Sequence, residues 1–313
     1  MSTLRVTAPD QEYKDAILSV IGHKEQYWLV PVREAYEGKI GLKTYCYLAL
    51  LGGGGDNVVA NITTAESLDE PIGMLQHVFT KPEHRRKGIA SFLMKDLLDD
   101  FKARKGRALY LGTGYGSDAH RIYRRYGFQD IGDRTGKMRF LTEKDFDEKY
   151  FSGRDTDVRP LGWEHWPGSD ILFSVEKGWY MKNLAFGAFD VHGFEGGFIK
   201  LMLGLREGNV KDAKVMISDD AVVGFASLAL DPRWNYGVAI LDFFMHPLFL
   251  NGANKLIQSI SFGSEKTQSF VEASAKYKSH ALEDCGFKFE AKLNEQLRQK
   301  DHSLDVSIYS KRA

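Results

Sequence analysis

The chain has 313 residues, of which 43% are hydrophobic, and it carries 42 basic and 42 acidic side chains. A chain of this length can form two domains, each with its own core. The balanced charge argues against a nucleic-acid-binding protein and gives no reason to expect binding to acidic membranes. Cys46 and Cys285 lie far apart and indicate neither a metal site nor a disulfide framework, so we expect a reducing compartment and no bound metal. No stretch has the length of a membrane span, and the first residues lack the apolar region of a signal peptide, so a cytoplasmic protein is expected.

The first 70 residues predict a strand, a helical region and a hairpin. β-Branched and aromatic residues favour strands at 4–8, 45–51 and 58–64. Residues 11–37 are expected to be mainly helical, with a break at Pro31, because proline cannot donate the hydrogen bond that continues a helix. The glycine-rich residues 52–57 predict a hairpin turn, and no helix follows them as it would follow a phosphate-binding loop.

The most informative stretch is 70–101. Residues 72–80 are apolar and β-branched and predict a strand that ends before Pro82. A basic loop follows at 84–88, and the next residues predict a helix, because their apolar side chains recur with the helical period. Side chains alternate along a strand, so two faces are expected for the strand. One face carries Met74, Gln76, Val78 and Thr80, and the other carries Leu75, His77 and Phe79.

A strand, a basic loop with a glycine and a helix together are typical of an anion-binding site. The first turn of a helix has N–H groups without helical partners and carries the positive end of the helix dipole. Gly88 lets the backbone approach an anion closely, and Arg85, Arg86 and Lys87 add positive charge. The loop lacks the Gly-Lys-Ser/Thr of a Walker loop and the Gly-x-Gly-x-x-Gly of a dinucleotide site. The sequence therefore predicts a phosphate site of another kind.

A second motif lies downstream of this loop. Residues 108–113 predict a strand, and residues 119–128 predict a short helix closed by a glycine. Residues 131–141 predict a closing strand. The two motifs together, in this order, resemble the signature of the GNAT superfamily, the acyl-CoA-dependent N-acyltransferases. The residues that carry the resemblance are Arg85, Gly88, Ala90, Ala119, Ile122, Tyr123, Gly127 and Phe128.

The resemblance implies a fold, a co-substrate and a set of contacts. The expected fold class is α/β (α+β), with a mixed, mostly antiparallel central sheet flanked by helices. The co-substrate is expected to be acetyl-CoA. The central strand is expected to splay from its parallel neighbour near a bulge, which frees main-chain groups for the pantetheine arm. The residues implied to bind acetyl-CoA are Val78, Phe79, Thr80, Arg85, Arg86, Lys87, Gly88, Ile89, Ala90 and Ser117.

The resemblance also implies the chemistry, which is direct transfer of an acetyl group to a primary amine. The acceptor is expected to be a small molecule rather than a protein. Tyr123 stands where the family carries its general acid, and a main-chain N–H near Val78 or Phe79 would stabilise the developing oxyanion. Where the family often has an asparagine that contacts pantetheine, this chain has Gly116, which predicts an arm held by backbone or bound less tightly.

The general base and the acceptor contacts are less defined. Strand alternation assigns His77 a packing role, and the base is left open among His120, Glu25 and Glu34, directly or through water. In the family, helices near the N-terminus help to wall the acceptor site. The candidate acceptor contacts there are Tyr27, Trp28, Glu34 and Tyr36.

The second half of the chain repeats the pattern of the first. Residues 243–247 correspond to residues 78–82, and both segments end in proline. The counterpart of the basic loop has no arginine or lysine, and Leu282 stands in place of Tyr123. We therefore predict tandem GNAT-like domains. Residues 1–150 form a domain with the intact acyl-CoA motif, and residues 151–313 form a degenerate copy that does not bind acyl-CoA, with a polar boundary segment at 152–170.

Other interpretations stay open at this point. A non-catalytic CoA-binding sensor or scaffold would keep the basic loop without needing chemistry at Tyr123. Tandem domains also resemble mycothiol synthase, but there the C-terminal domain is the active one. Acetylation of a protein tail lacks support from an extended charged groove. A homodimer is compatible with the sequence, which does not define the oligomeric state.

Overall fold

The computed structural model describes residues 2–52, 57–191, 193–263, 265–299 and 301–312. Residues 53–56, the tip of the predicted glycine-rich hairpin, lie outside the described residues. The chain forms two compact units. The first comprises Met1–Phe146 and Gly162–Asp170, and the second comprises Asp147–Leu161 and Ile171–Ala313. The domain limits predicted at residue 150 stay a prediction.

The first unit is built on a seven-stranded sheet with helices on both faces. Its elements are β1 (Ser2–Thr7), α1 (Lys14–Val20), α2 (Gln26–Tyr36), β2 (Lys43–Leu50), β3 (Val58–Glu66), β4 (Ile72–Thr80), α3 (Ile89–Ala103), β5 (Ala108–Gly112), α4 (Asp118–Arg125), β6 (Gln129–Ile131) and β7 (Lys137–Leu141). The strand order is β1-β2-β3-β4-β5-β7-β6. The pair β4–β5 is parallel, and its neighbours pair antiparallel.

The second unit repeats this topology. The remaining elements are α5 (Phe146–Tyr150), β8 (Asp157–Pro160), α6 (Trp166–Phe173), β9 (Met181–Asn183), β10 (Ala188–Phe189), α7 (Glu195–Glu207), β11 (Val210–Ser218), β12 (Ala221–Leu230), β13 (Val238–Met245), α8 (Ala253–Gln258), β14 (Lys266–Glu272), α9 (Lys276–Asp284), β15 (Lys288–Gln299) and β16 (His302–Lys311). Read from the opposite edge, the strand order is β8-β11-β12-β13-β14-β16-β15, with the parallel pair β13–β14 in the place of β4–β5. The predicted fold class and the tandem arrangement are confirmed.

The core of the first unit consists of two apolar layers, one on each face of its sheet. On one face α3 packs against the sheet through Leu93 and Leu97, both fully buried. On the other face α1 and α2 contribute Ile17, Leu29 and Tyr36. The apolar stripe that predicted α3 is therefore the face that covers the sheet.

A network of charged side chains joins α3 to the neighbouring strands. The Arg104 guanidinium donates to both carboxylate oxygens of Glu66, at 2.5 and 3.0 Å, and to Asp100 at 2.8 Å. The Tyr47 hydroxyl donates to the same Asp100 carboxylate. The Glu66 side chain is 4% exposed, so its charge depends on this guanidinium and the adjoining Thr64 hydroxyl for compensation.

Two local predictions were wrong. The break in the N-terminal helical region lies between α1 and α2, where Gly22 and the extended Glu25 interrupt the helix, and Pro31 lies inside α2. Packing of the buried face of α2 outweighs the hydrogen bond that proline cannot donate. The expected single strand at 131–141 is a hairpin, β6 and β7, because Gly132 and Gly136 adopt positive φ between them. The polar segment at 152–170 contains β8 and the first half of α6.

The segment Gly162–Asp170 packs as part of the first unit. Its last residue, Asp170, forms an ion pair with Lys137 at the start of β7, and both side chains are buried. Trp166 from the same segment helps to enclose a cavity beside α2. In the described part of the chain, no helix is both long and apolar enough to span a membrane.

Candidate active site

The basic loop leads into α3 through a left-handed glycine. Gly88 has φ 75° and is the residue before the first turn of α3, and no described side chain caps that turn. The first helical bond found there runs from the Phe92 N–H to the Gly88 carbonyl, so the preceding N–H groups of the turn point out of the helix end. A Cβ added at Gly88 would meet no atom within 4 Å, so the space beside the turn is open. This end of α3 has the geometry of an anion site.

One side chain of the loop bonds to the end of β4, and another bonds within the loop region itself. Arg85 Nε donates to the Thr80 carbonyl at 3.0 Å, and its guanidinium carbon lies 5.6 Å from the centre of the Phe79 ring. Lys87 Nζ donates to the Glu83 carbonyl at 2.9 Å. Arg85, Arg86 and Lys87 are all exposed. The loop therefore presents three cations beside the open end of α3.

The strand β4 is interrupted by a bulge at its centre. Gln76 pairs with Thr63 and Phe79 pairs with Asn61, so His77 and Val78 together oppose one residue of β3. His77 has a left-handed backbone, with φ 51°. Val78 then packs in the layer under α3, and Phe79 packs in the layer under α1 and α2. The predicted alternation of faces is therefore wrong beyond the bulge.

Next to the bulge, β4 separates from its parallel neighbour. The described pairing with β5 covers Ile72, Gly73 and Met74 and extends no further. The edge of β4 that carries Val78, Phe79 and Thr80 thus faces a cleft rather than another strand. This splay and bulge are the features that the resemblance implied for the central strand.

Tyr123 lies on α4 and packs on the α3 side of the sheet. Its side chain is 6% exposed and belongs to the same apolar layer as Leu75, against which Val78 packs. The Phe128 ring packs against the Tyr123 ring, with ring centres 5.8 Å apart. The Tyr126 hydroxyl donates to the Ser91 carbonyl at 2.8 Å and ties α4 to α3. The structure therefore brings together two motifs that lie 29 or more residues apart in sequence, counted from Ala90 to Ala119.

Ser117 starts α4 rather than pointing freely into the cleft. Its hydroxyl oxygen accepts from the His120 N–H at 3.1 Å, so it is the N-cap of the helix. The hydroxyl proton still can be donated to a ligand. The adjacent Gly116 has φ 72°, and a Cβ there would meet no atom within 4 Å. This position therefore offers backbone and space where the family often has an asparagine.

The candidate bases lie in different surroundings. His120 is buried, and its Nε2 lies 2.6 Å from a carboxylate oxygen of Asp130, which engages that ring nitrogen. Glu25 is exposed at the start of α2, and Glu34 is half-buried on the same helix. His77 is buried at the bulge, and burial, followed by the neighbouring Lys24 and His23, lowers its pKa to about 4.

The residues proposed from sequence to contact the acceptor differ in how far they are buried. Tyr36 is fully buried in the core, where burial raises its pKa, so the expectation that it contacts an acceptor is wrong. Tyr27 and Trp28 are half-buried, with ring centres 5.3 Å apart. The cavity bordered by Val32, Gln76 and Trp166 has a volume of about 10 Å³. That is room for about one water molecule and too little for an acceptor.

The corresponding cleft of the second unit contains its own side chains. The pairing of β13 with β14 ends at Ile240, so these strands also diverge. The Tyr277 hydroxyl accepts from the Met245 N–H at 3.3 Å, and Trp179 packs on Tyr277 with ring centres 4.2 Å apart. The helix α8, in the place of α3, has six residues. These contacts occupy the strand edge that in the first unit faces the cleft.

In the described residues, no group of three or more His, Cys, Asp and Glu side chains could hold a metal ion. The residues that sequence reasoning did not single out are Asn61, which bonds to the bulge, and Asp170. An asparagine directly after the three apolar residues that start β3 is the signal that could have identified the first, since a buried amide needs hydrogen-bond partners. Nothing near Asp170 in the sequence indicates its partner in β7.

Comparison with known proteins identifies the class of domain that contains the loop at α3. Residues 43–130 match the family model described as an acetyltransferase (GNAT) domain, so the chain contains a GNAT domain in this region and the predicted family is confirmed. Both motifs lie inside the matched segment.

Solved structures of acetyltransferases resemble about half of the chain. An N-acetyltransferase from Staphylococcus aureus Mu50 is 15% identical, with a TM-score of 0.44, over 51% of this chain and 99% of that one. A GNAT-family acetyltransferase from Streptococcus pneumoniae is 14% identical, with a TM-score of 0.41, over 51% and 100% of the two chains. A phosphinothricin acetyltransferase from Sinorhizobium meliloti, in complex with acetyl-CoA, is 11% identical, with a TM-score of 0.42, over 51% and 89%. A comparison with curated proteins found no match.

Proposed function

We propose that the first unit transfers an acetyl group from acetyl-CoA to the primary amine of an acceptor, which is a small molecule rather than a protein. Two adjacent features carry this proposal. The first is the uncapped start of α3, where Gly88 has a left-handed backbone, and the second is the edge of β4 beyond Met74, which no longer pairs with β5. A pyrophosphate needs the first feature, and an extended pantetheine arm needs the second. The proposed domains are residues 1–150, which are active, and residues 151–313, which are a degenerate copy.

The pyrophosphate would lie at the end of α3. Its oxygens would accept hydrogen bonds from main-chain N–H groups of Gly88, Ile89 and Ala90, and the side chains of Arg86 and Lys87 would add charge. Arg85 is already oriented along Thr80, so its guanidinium would border the route from the loop to the cleft. Each charge-assisted hydrogen bond of this kind contributes about 1.5–3 kcal/mol.

The pantetheine arm would pair with the open edge of β4. Main-chain groups of Val78 and Thr80 would line the cleft, whereas those of Phe79 turn toward β3, since Lys81, two residues on, donates its N–H to the Val59 carbonyl. Ser117 lies at the start of α4. The thioester carbonyl would accept from the N–H of Val78. One such donor typically contributes about 3 kcal/mol to the stabilisation of the developing oxyanion.

The chemistry consists of one addition and one elimination. The amine lone pair attacks the thioester carbon, a C–N bond forms, and the carbonyl electron pair moves to the oxygen. When the oxyanion collapses, the C–S bond breaks and the thiolate takes the proton of the Tyr123 hydroxyl. The amine nitrogen loses its surplus proton to water, and the tyrosinate is later reprotonated from solvent, so charge and protons balance.

Calorimetric titration of the whole chain with acetyl-CoA tests this proposal. We expect one site per chain, because the side chains of Tyr277 and Trp179 occupy the cleft of the second unit. Two sites would contradict the expectation that the second unit does not bind acetyl-CoA. No binding at millimolar ligand would contradict the acyltransferase function. Tight binding without acetyl transfer to any amine would instead favour a CoA-binding sensor or scaffold.

The surroundings of the cysteines fit the proposed cytoplasmic setting. Cys46 is buried and Cys285 is half-buried, and both are free thiols. Burial raises the pKa of Cys46 to about 11, so its thiolate is scarce at neutral pH and its thiol is inert.

A further inference from the structure

His77 is held in a strained backbone conformation by a buried hydrogen bond. A non-glycine residue with positive φ costs about 1–3 kcal/mol and persists when its surroundings enforce it. Here the side-chain amide of Asn61 donates to the His77 carbonyl at 3.1 Å, and it also donates to the Thr63 hydroxyl at 3.0 Å. Asn61 is fully buried, so these bonds are shielded from water. The bulge is thus fixed by β3 and not by the sequence of β4 alone.

The imidazole of His77 has a nitrogen without a partner. The residue is 8% exposed, and Nε2 is buried with no hydrogen-bond partner among the described residues. Buried polar atoms are satisfied in most proteins, and one that is not requires an explanation such as an absent ligand or water. The Trp28 ring packs edge-on at 6.5 Å, which keeps the imidazole in place. The unsatisfied atom is therefore held in a defined position.

The ring is neutral in the physiological range. Its pKa of about 4 results first from burial and then from Lys24 and His23, which lie on the turn between α1 and α2. A neutral imidazole has one N–H and one lone pair. The positive Lys24 side chain disfavours another cation nearby, so a group that binds at Nε2 would do so uncharged.

The position of His77 relates this nitrogen to the proposed reaction. His77 directly precedes Val78, whose main-chain N–H would meet the thioester, and its ring lies on the α2 side of the sheet. Tyr123 lies on the opposite, α3 side. An amine adds to one face of the planar thioester, and the face turned away from Tyr123 is on the side on which His77 lies.

We propose that His77 Nε2 accepts a hydrogen bond from the acceptor amine, with the ring proton on Nδ1, and so orients the amine lone pair toward the thioester carbon. The amine enters uncharged. This inference rests on the proposed acetyl transfer, and it replaces the packing role that strand alternation assigned to His77. Side chains do not alternate at this point of β4, because the bulge places His77 beside Trp28 on the same side of the sheet as Gln76.

Two variants separate hydrogen bonding from packing. His77→Phe keeps an aromatic ring against Trp28 and removes the nitrogen, whereas His77→Gln keeps a polar atom near the Nε2 position. The matched control is His246→Phe in the second unit, since His246 is also buried and burial lowers its pKa to about 4 as well. Acetyl transfer to glycinamide would be followed by thiol release, because an α-amino group has a pKa of about 8 and is substantially uncharged near neutrality.

For His77→Phe we expect a loss of at least tenfold in kcat/KM for glycinamide and a Kd for acetyl-CoA within twofold of wild type. His77→Gln should recover kcat/KM to within about threefold, and His246→Phe should leave it unchanged. A kcat/KM within twofold of wild type in His77→Phe would overturn the assignment. So would a wild-type protein that binds acetyl-CoA and does not acetylate glycinamide.

A measurement on the wild-type protein guards against variants that do not fold. The ¹⁵N resonance of His77 Nε2 should shift when glycinamide is added to protein saturated with CoA. No shift up to millimolar glycinamide would overturn the proposal. Failure of acetyl-CoA to bind the wild-type chain would instead overturn the acetyltransferase function itself, so the two failures are distinguishable.

Discussion

Replacing Gly88 by alanine would separate the backbone role of this residue from its role in binding. Gly88 has φ 75° and ψ 4°, and Gly208 at the end of α7 has φ 79° and ψ 6°. At both positions an added Cβ would meet no atom within 4 Å. The cost of alanine at either position is therefore that of the left-handed backbone alone, about 1–2 kcal/mol. The two variants should lose similar stability.

The two variants should differ in acetyl-CoA binding. The Cβ in Gly88→Ala would enter the space beside the first turn of α3, where the pyrophosphate is proposed to bind. Loss of one charge-assisted hydrogen bond, about 1.5–3 kcal/mol, corresponds to a Kd raised roughly 10- to 150-fold. Gly208→Ala should leave the Kd unchanged. Gly88→Glu, which also adds negative charge, should weaken binding further.

Calorimetry would give the Kd values, and hydrogen exchange of amides in α3 and α7 would report the stability of each unit. The result that would refute this reasoning is a Kd within twofold of wild type for Gly88→Ala. An equal loss of binding in Gly208→Ala would refute it too, because binding would then follow general stability rather than the geometry of the loop.

Three further predictions concern the acid, the charge network and the buried histidine. Tyr123→Phe should lower kcat at least tenfold with glycinamide as acceptor while the Kd for acetyl-CoA stays within twofold, and this is measured by thiol release and calorimetry. Arg104→Leu leaves the Glu66 carboxylate buried without its guanidinium, so urea unfolding of the first unit should show a loss of about 3 kcal/mol. His77 should titrate near pH 4 by NMR. Because its folded pKa lies below the unfolded value of about 6.5, its contribution to stability is complete above pH 6.5 and decreases by about 3 kcal/mol as the pH falls to 4.

Each of these predictions has a matched control. Tyr126→Phe, just after α4, removes the hydroxyl that bonds to the Ser91 carbonyl and keeps Tyr123. Its kcat should fall less than that of Tyr123→Phe, and equal loss in both variants would argue against a special role for Tyr123. Arg107→Leu removes two ion pairs, with Glu70 and Glu143, whose side chains are 19–25% exposed, and it should cost about 1 kcal/mol or less. An equal cost at Arg104 would contradict the importance of burial. In His77→Gln, the loss of stability between pH 6.5 and 4 should decrease, and an unchanged pH profile would contradict the assigned titration.

The anion-binding half of the site was predictable from sequence because local rules determine it. Strand-forming residues before Pro82, the cations of the loop and the glycine at the start of a periodic helix all act within a few residues of one another. The bulge was not predictable in the same way. Alternation assumes a regular strand, and the irregularity at His77 is enforced by Asn61, which is 16 residues away in β3. Pro31 was misread for a related reason, since tertiary packing of α2 outweighs a local preference.

The return of the segment Gly162–Asp170 to the first unit has a consequence for protein synthesis. Asp170 is made 33 residues after its partner Lys137. At typical rates of translation, the ribosome adds that length in roughly 2–7 s. During this interval the nascent first unit holds a lysine whose buried position lacks its Asp170 carboxylate, which is unfavourable. The strand β7 therefore reaches its final environment only after residues 147–161, the start of the second unit, have been synthesised. Completion of the first unit thus waits for the synthesis of the segment Gly162–Asp170.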